Sequence, residues 1–240
     1  MKKIIISFVL ICFTYTVSGQ IVTQPSKPEK IKSKKDTAVI VYAEFGYNSS
    51  FRLLESNADF LNKSLGKRAD ETKLTVYSGT LGMTIPIAKN ICIDGGFSFM
   101  QNGEQYKWAS STSDSTFAYQ SNYNYLALPV QLKFQTGKQI QFFIGTGLAP
   151  QMFQSYRQRQ QWSDSLGAKK SVTVKQNSDC STFNLAWFSS AGFQLNFNGN
   201  MGIRLSGTFR KELLNTFTKY ADYIHKSFGY GLNVGLTYKF

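Results

Sequence analysis

Phe228-Gly229-Tyr230-Gly231-Leu232-Asn233-Val234-Gly235-Leu236-Thr237-Tyr238-Lys239-Phe240 carries the reading that decides the fold. Every second residue, from Phe228 to Phe240, is aromatic or aliphatic. The residues between them are Gly229, Gly231, Asn233, Gly235, Thr237 and Lys239. Successive side chains of a strand point to opposite faces, so this stretch has one greasy face and one face of small or polar groups. It alternates to the end and stops on an aromatic residue. That resembles the final strand of outer-membrane proteins, the terminus read by their assembly machinery.

Seven more stretches follow the same rule. They are Val39–Tyr47, Thr75–Ile85, Ile91–Gln101, Tyr123–Phe134, the stretch from Ile140, Phe183–Phe197 and the stretch from Met201 to Arg210. The second face is again mostly Gly, Ala, Ser, Thr, Asn and Gln. A soluble sandwich would put Lys, Glu and Thr on its outer face. Small side chains instead suit the crowded lumen of a small barrel, with the apolar face turned to lipid. Tyr47, Tyr77, Phe134, Phe197, Tyr238 and Phe240 fall near strand ends, as an interfacial girdle requires. Short connections (86–90, 135–139, 198–200) alternate with long polar ones (about 50–72, 102–121, 154–181 and 211–226). The expected fold is all-β: an eight-stranded antiparallel up-and-down transmembrane β-barrel over residues 38–240, with both termini in the periplasm.

The first residues set the compartment. Met1-Lys2-Lys3 precedes an apolar run from Ile4 to Phe13, and Val17-Ser18-Gly19 precedes Gln20. This reads as a signal peptide, residues 1–19, too short for a spanning helix. Residues 20–37 carry Lys27, Lys30, Lys32, Lys34 and Lys35 with Pro25 and Pro28, and read as a flexible basic periplasmic leader. The net charge of +13 would ordinarily suggest nucleic acid. An exported barrel has no such partner. Its excess Lys and Arg suit outer-membrane lipid and the phosphates of lipopolysaccharide instead. Mean hydropathy of −0.23 excludes a bundle of membrane helices.

Three stretches carry a family resemblance. They are Tyr125-Leu126-Ala127-Leu128-Pro129-Val130-Gln131-Leu132-Lys133-Phe134, Phe142-Phe143-Ile144-Gly145-Thr146-Gly147-Leu148-Ala149-Pro150 and Gly202-Ile203-Arg204-Leu205-Ser206-Gly207-Thr208-Phe209. The first resembles the Leu-x-x-Pro strand, the second the Gly-x-Gly strand and the third the penultimate strand of the PorT-like outer-membrane barrels of Bacteroidota. The resemblance implies an outer-membrane barrel with envelope protein partners. Some members of that group are similar to accessory parts of a protein secretion and gliding apparatus.

Charged residues on the lumen face are Glu44, Asp94, Lys133, Arg204, Arg210 and Lys239. Buried charges must pair or be hydrated, so these are expected to form a structural ion-pair network. A selective conduction path is the sharper alternative. His225 and Ser227 have the His-x-Ser spacing of outer-membrane lipid A deacylases, but His225 reads as a plain loop residue. Cys92 and Cys180 fall near opposite ends of the barrel and are expected to stay unpaired. No catalytic, cofactor-binding or metal-binding residue is expected. The leading function is a non-enzymatic structural or interaction barrel of the outer membrane. A narrow porin-like channel and a lipid-modifying barrel enzyme are the alternatives.

Overall fold

The computed structural model describes residues 38–56, 71–163, 167–175, 177, 179–197, 200–218 and 223–240. The expected signal peptide and leader, 1–37, lie outside the described residues. Ten strands run through the rest: β1 (Ile40–Ser56), β2 (Glu71–Pro86), β3 (Ile91–Ala109), β4 (Thr116–Ala127), β5 (Val130–Gly137), β6 (Ile140–Ser163), β7 (Lys169–Val174), β8 (Phe183–Asn196), β9 (Met201–Glu212) and β10 (Tyr223–Lys239).

All neighbours pair antiparallel, and the ring of pairings closes. β1 pairs β2 and β10, β2 pairs β3, and the chain of pairs returns through β6, β8 and β9 to β10. β4 and β5 together make one stave, since both bond β3 on one side and β6 on the other. The break between them falls at Leu128 and Pro129. Pro129 has no N–H for the ladder, but its carbonyl still accepts from Gly96 N at 3.0 Å. β7 pairs only β6 and stands off the ring. Eight staves therefore close the barrel, as the alternation predicts.

Side-chain parity follows the sequence. Leu81 (66%), Leu232 (63%), Ile144 (61%) and Phe142 (60%) are among many exposed apolar side chains on the outer surface. Each would forgo about 1.5–3 kcal/mol if it stayed in water, which makes this surface a lipid-facing one. Closure leaves no sheet edge, as a lipid-spanning sheet requires. The expected girdle residues face outward, and Tyr47 and Tyr77 sit opposite each other with ring centroids 5.9 Å apart. Inside, space is scarce. A Cβ on Gly192 would lie 2.1 Å from the Leu205 carbonyl oxygen, so only glycine fits that approach. Gly137 turns the β5–β6 hairpin at φ +109°, a conformation glycine adopts freely.

The long connections are shorter than the sequence reading implies. β1 runs on to Ser56, β3 and β4 extend to Ala109 and from Thr116, and β6 reaches Ser163 before β7 returns along it. The extensions of β3, β4 and β6 carry mostly Gln, Ser, Asn, Lys and Arg on the outward face where the lower part carries Leu and Phe, whereas β1 keeps Phe51 and Leu53 there. In β3, β4 and β6 the backbone ladder continues without the apolar alternation, so a pattern-based reading ends those strands too early.

A Gly192→Val variant is expected to lose the heat-modifiable folded band on unboiled SDS gels. Gly79→Ala is expected to keep it, because nothing lies within 4 Å of that added Cβ. Equal behaviour of the two would contradict the packing described.

Candidate functional site: an ion-paired cluster in the lumen

Four of the predicted lumen charges meet. Asp94 on β3 is the hub. Lys133 Nζ on β5 lies 2.9 Å from Asp94 Oδ2, and Arg204 Nη1 on β9 lies 3.1 Å from the same oxygen. Tyr42 of β1 donates its hydroxyl to Asp94 Oδ1, and Thr84 of β2 donates to Oδ2 at 3.1 Å. Lys133 also donates to Thr84 Oγ1 at 2.8 Å. Arg204 Nε lies 2.9 Å from Glu44 Oε1. Neither of those two atoms completes a hydrogen bond, so the contact is ionic and poorly aligned. The Arg204 guanidinium is also packed 4.6 Å from the Tyr42 ring and 4.4 Å from the Phe143 ring.

Two cations and two carboxylates thus balance. Asp94, Lys133 and Arg204 are each at most 3% exposed. The groups come from six strands, so the cluster ties the barrel across its interior. It forms because even-numbered positions of β1, odd-numbered ones of β5 and even-numbered ones of β3 and β9 all face inward. Tyr42 and Thr84 lie on those same inward registers and were missed because they carry no charge.

Arg210 stands elsewhere. Its Nη2 donates to the Gln101 carbonyl at 2.8 Å and to Asn102 Oδ1. Asn102 in turn donates to Glu212 Oε1, and Glu212 Oε2 accepts from Thr216 Oγ1 at 3.1 Å and Ser227 N at 2.9 Å. Arg210 therefore belongs to an upper group, because it lies three outward–inward alternations beyond Arg204 on β9. Lys239, at the end of β10, lines the lower rim with Lys89 and Asn90.

A third buried carboxylate, Glu104, accepts from the Tyr123 hydroxyl at 3.2 Å and lies 3.7 Å from Arg52 Nη1. His225 Nε2 is 3.5 Å from Glu104 Oε2, and its ring lies against Tyr123 and Phe217 at 5.2 and 5.1 Å. This corrects the reading of His225 as a loop residue. It sits on β10, faces the lumen and is wholly buried. Ser227 is buried on the same face. Their two-residue spacing is simply the repeat of an inward-facing strand, and neither side chain faces lipid. Arg52 and Glu104 escaped notice because their stretches read as loops. The parity of β1 and β3 runs unbroken to both residues and would have placed them inside.

Between the lower and upper groups lies a cavity of about 70 Å³, lined by Tyr42, Asn48, Met100, Phe188 and Arg204 among others. It has room for a few waters and no more. Beyond β9, Thr216 is buried against the upper group, and its N donates to the His225 carbonyl at 2.8 Å. No group of three His, Cys, Asp or Glu that would hold a metal occurs among the described residues.

Cys92 and Cys180 are both free. Cys180 lies outside the barrel strands, bridged to Phe217. Burial, and then the neighbouring Asp179 carboxylate, push its thiol up to about 11.

A closed barrel with an apolar outer surface and an ion-paired polar interior is an integral outer-membrane β-barrel protein, and the outer membrane is its location. No family model matches the chain, and no curated protein matches it in sequence. Solved structures do resemble it. The outer membrane protein OprG from Pseudomonas aeruginosa is 12% identical, with 85% of this chain and 97% of that one covered and a TM-score of 0.46. The attachment invasion locus protein Ail of Yersinia pestis, solved with the heparin analogue sucrose octasulfate, is 16% identical, covering 84% and 99%, with a TM-score of 0.35. The outer membrane protease OmpT from Escherichia coli is 8% identical, covering 86% and 98%, with a TM-score of 0.46. These are likenesses of barrel to barrel at low identity, and they bring no activity with them.

Asp94→Asn leaves Lys133 and Arg204 buried with Glu44 as their only carboxylate. Urea unfolding from lipid vesicles is expected to show a loss of about 3–5 kcal/mol, the scale of a broken buried pair. A loss under about 1 kcal/mol would contradict the hub role. Alkylation of Cys180 in the folded protein is expected to be slow at neutral pH. It should rise about tenfold per pH unit toward pH 11, because only the thiolate reacts and the raised thiol keeps it scarce below that. A rate that levels off near pH 8.5, the ordinary thiol value, would refute this.

Proposed function

We propose that the protein is a non-enzymatic, non-conducting outer-membrane barrel that acts as a structural or interaction component of the envelope. The observation that carries this reading is the Asp94–Arg204–Lys133 cluster, which sets paired, buried groups from opposite staves across the lumen. A conduction path needs hydrated or exchangeable sites, and side chains that satisfy one another offer an ion little. The closed lumen thus weighs against the narrow channel. Burial of His225 and Ser227 on the inward face weighs against a lipid-modifying enzyme, whose substrate approaches from the bilayer.

The partner side of the reading rests on the resemblance to the PorT-like barrels and on the basic balance of the chain. An envelope protein complex, such as a secretion or gliding apparatus, fits a barrel that presents tall strand extensions and transports nothing itself.

Planar bilayers containing the purified protein are expected to stay electrically silent at every salt concentration. Crosslinking in the native envelope, read by mass spectrometry, is expected to return the same protein neighbours repeatedly. Unitary conductance steps would overturn the closed-lumen reading, and a barrel without any reproducible neighbour would overturn the partner reading.

A further inference from the structure

The outward face of the upper sheet changes character at a single level. Met152 of β6, Leu126 of β4 and Phe99 of β3 stand side by side as the last apolar rung. The next rung is Ser155, Asn124 and Gln101, which bond one another: Gln101 Nε2 donates to Asn124 Oδ1 at 3.0 Å, and Asn124 Nδ2 to Ser155 Oγ at 2.9 Å. Above that satisfied rung come Arg157 beside Asn122, then Arg159 beside Gln120. Arg157, Arg159, Lys107 and Lys169 are all exposed. Parity puts all four on the outer face, because Gln158 bonds the inward Ser121 hydroxyl and Trp162 pairs Lys170 on the other side.

Two features make this face unusual among the described residues. It carries four cations, and none of the four makes an ion pair with a described residue. Asn122 and Gln120, which flank the two arginines, make no side-chain hydrogen bond, unlike the amides one rung lower. The height is also informative. From the last apolar rung to Arg157 is about four residues, or roughly 14 Å along the strand. A strand tilt of about 40° makes that roughly 10 Å of rise. The headgroup layer of a phospholipid is only about 5–7 Å deep. Arg157 and Arg159 therefore stand at or above the top of an ordinary phospholipid headgroup, where a taller, sugar-bearing headgroup would reach them.

We propose that the outward face formed by Arg157, Arg159, Lys107 and Lys169, with Asn122 and Gln120, is a docking surface for the phosphorylated sugar headgroup of an outer-leaflet glycolipid. Arginine forks match phosphate oxygens bidentately. The free amides of Asn122 and Gln120 offer both donors and acceptors to sugar hydroxyls. A lipid held there anchors the tall extension at the membrane surface and leaves its opposite face, with Tyr106, Phe117 and Tyr119 in mutual ring contact, turned the other way. The proposal deepens the interaction-barrel reading and rests on it.

The test uses the full mature protein refolded in phosphatidylcholine nanodiscs, titrated with diphosphoryl lipid A and with the same lipid dephosphorylated. Diphosphoryl lipid A is expected to bind, to weaken as salt rises, and to bind far more tightly than the dephosphorylated form. The Arg157→Gln/Arg159→Gln double variant is expected to lose about thirtyfold in affinity, taking roughly fivefold for each surface cation. Lys211→Gln/Lys226→Gln, on the β9 and β10 outer rim, is expected to change affinity by less than about threefold. Several results would overturn the proposal: no binding by the unaltered protein, equal losses in the two double variants, equal binding of phosphatidylglycerol, or displacement by millimolar inorganic phosphate. The phosphorylated-against-dephosphorylated comparison uses the unaltered protein, so it decides the matter even if a variant fails to fold. Bilayer silence measured on the same preparation separates failure of this surface from failure of the closed-barrel reading.

Discussion

The interior of this barrel depends on one buried carboxylate. Asp94 receives Lys133, Arg204, Tyr42 and Thr84, and those partners come from four other strands. In a low-dielectric interior, a charge without partners is far more costly than the net gain from any single pair. Each partner is therefore held to its neighbour by the penalty of leaving. The cluster fixes the relative positions of staves that touch only their own neighbours through the ladder.

The same cluster explains how an eight-stave barrel can hold charges in a narrow polar interior. Glycine, serine and alanine line the narrow lumen and let backbone strands approach, as at Gly192. The few long polar side chains then reach across the remaining width and meet. A small cavity remains between the lower and upper groups. Closure of the sheet satisfies the backbone against lipid, and pairing of the charges satisfies the side chains. The molecule answers the same physical demand twice, once at its wall and once along its axis.

Above the lipid-facing belt the constraint relaxes, and the sheet is used differently. β3, β4, β6 and β7 continue upward with polar or cationic side chains outward and aromatic ones on the other face. A two-faced sheet outside the bilayer no longer needs lipid-compatible residues, so its composition is free to serve contact. The segment 213–218 and the buried Thr216 join the extension to the lumen contents, through Glu212 and the His225 backbone.

Sequence alone determined the alternation, the number of staves and the sign of each face, because strand parity is a local property written in every second residue. Phe228 to Phe240 shows this in full, and the inward placement of Glu44, Asp94, Lys133 and Arg204 follows from the same count. Only the tertiary structure decided which charges meet. Arg204 and Arg210 share a face of β9, yet one joins Asp94 and the other Asn102, because barrel register sets their heights. The reach of β3 and β6 beyond the belt was likewise hidden. There the ladder is held by backbone hydrogen bonds, which leave no apolar pattern to read.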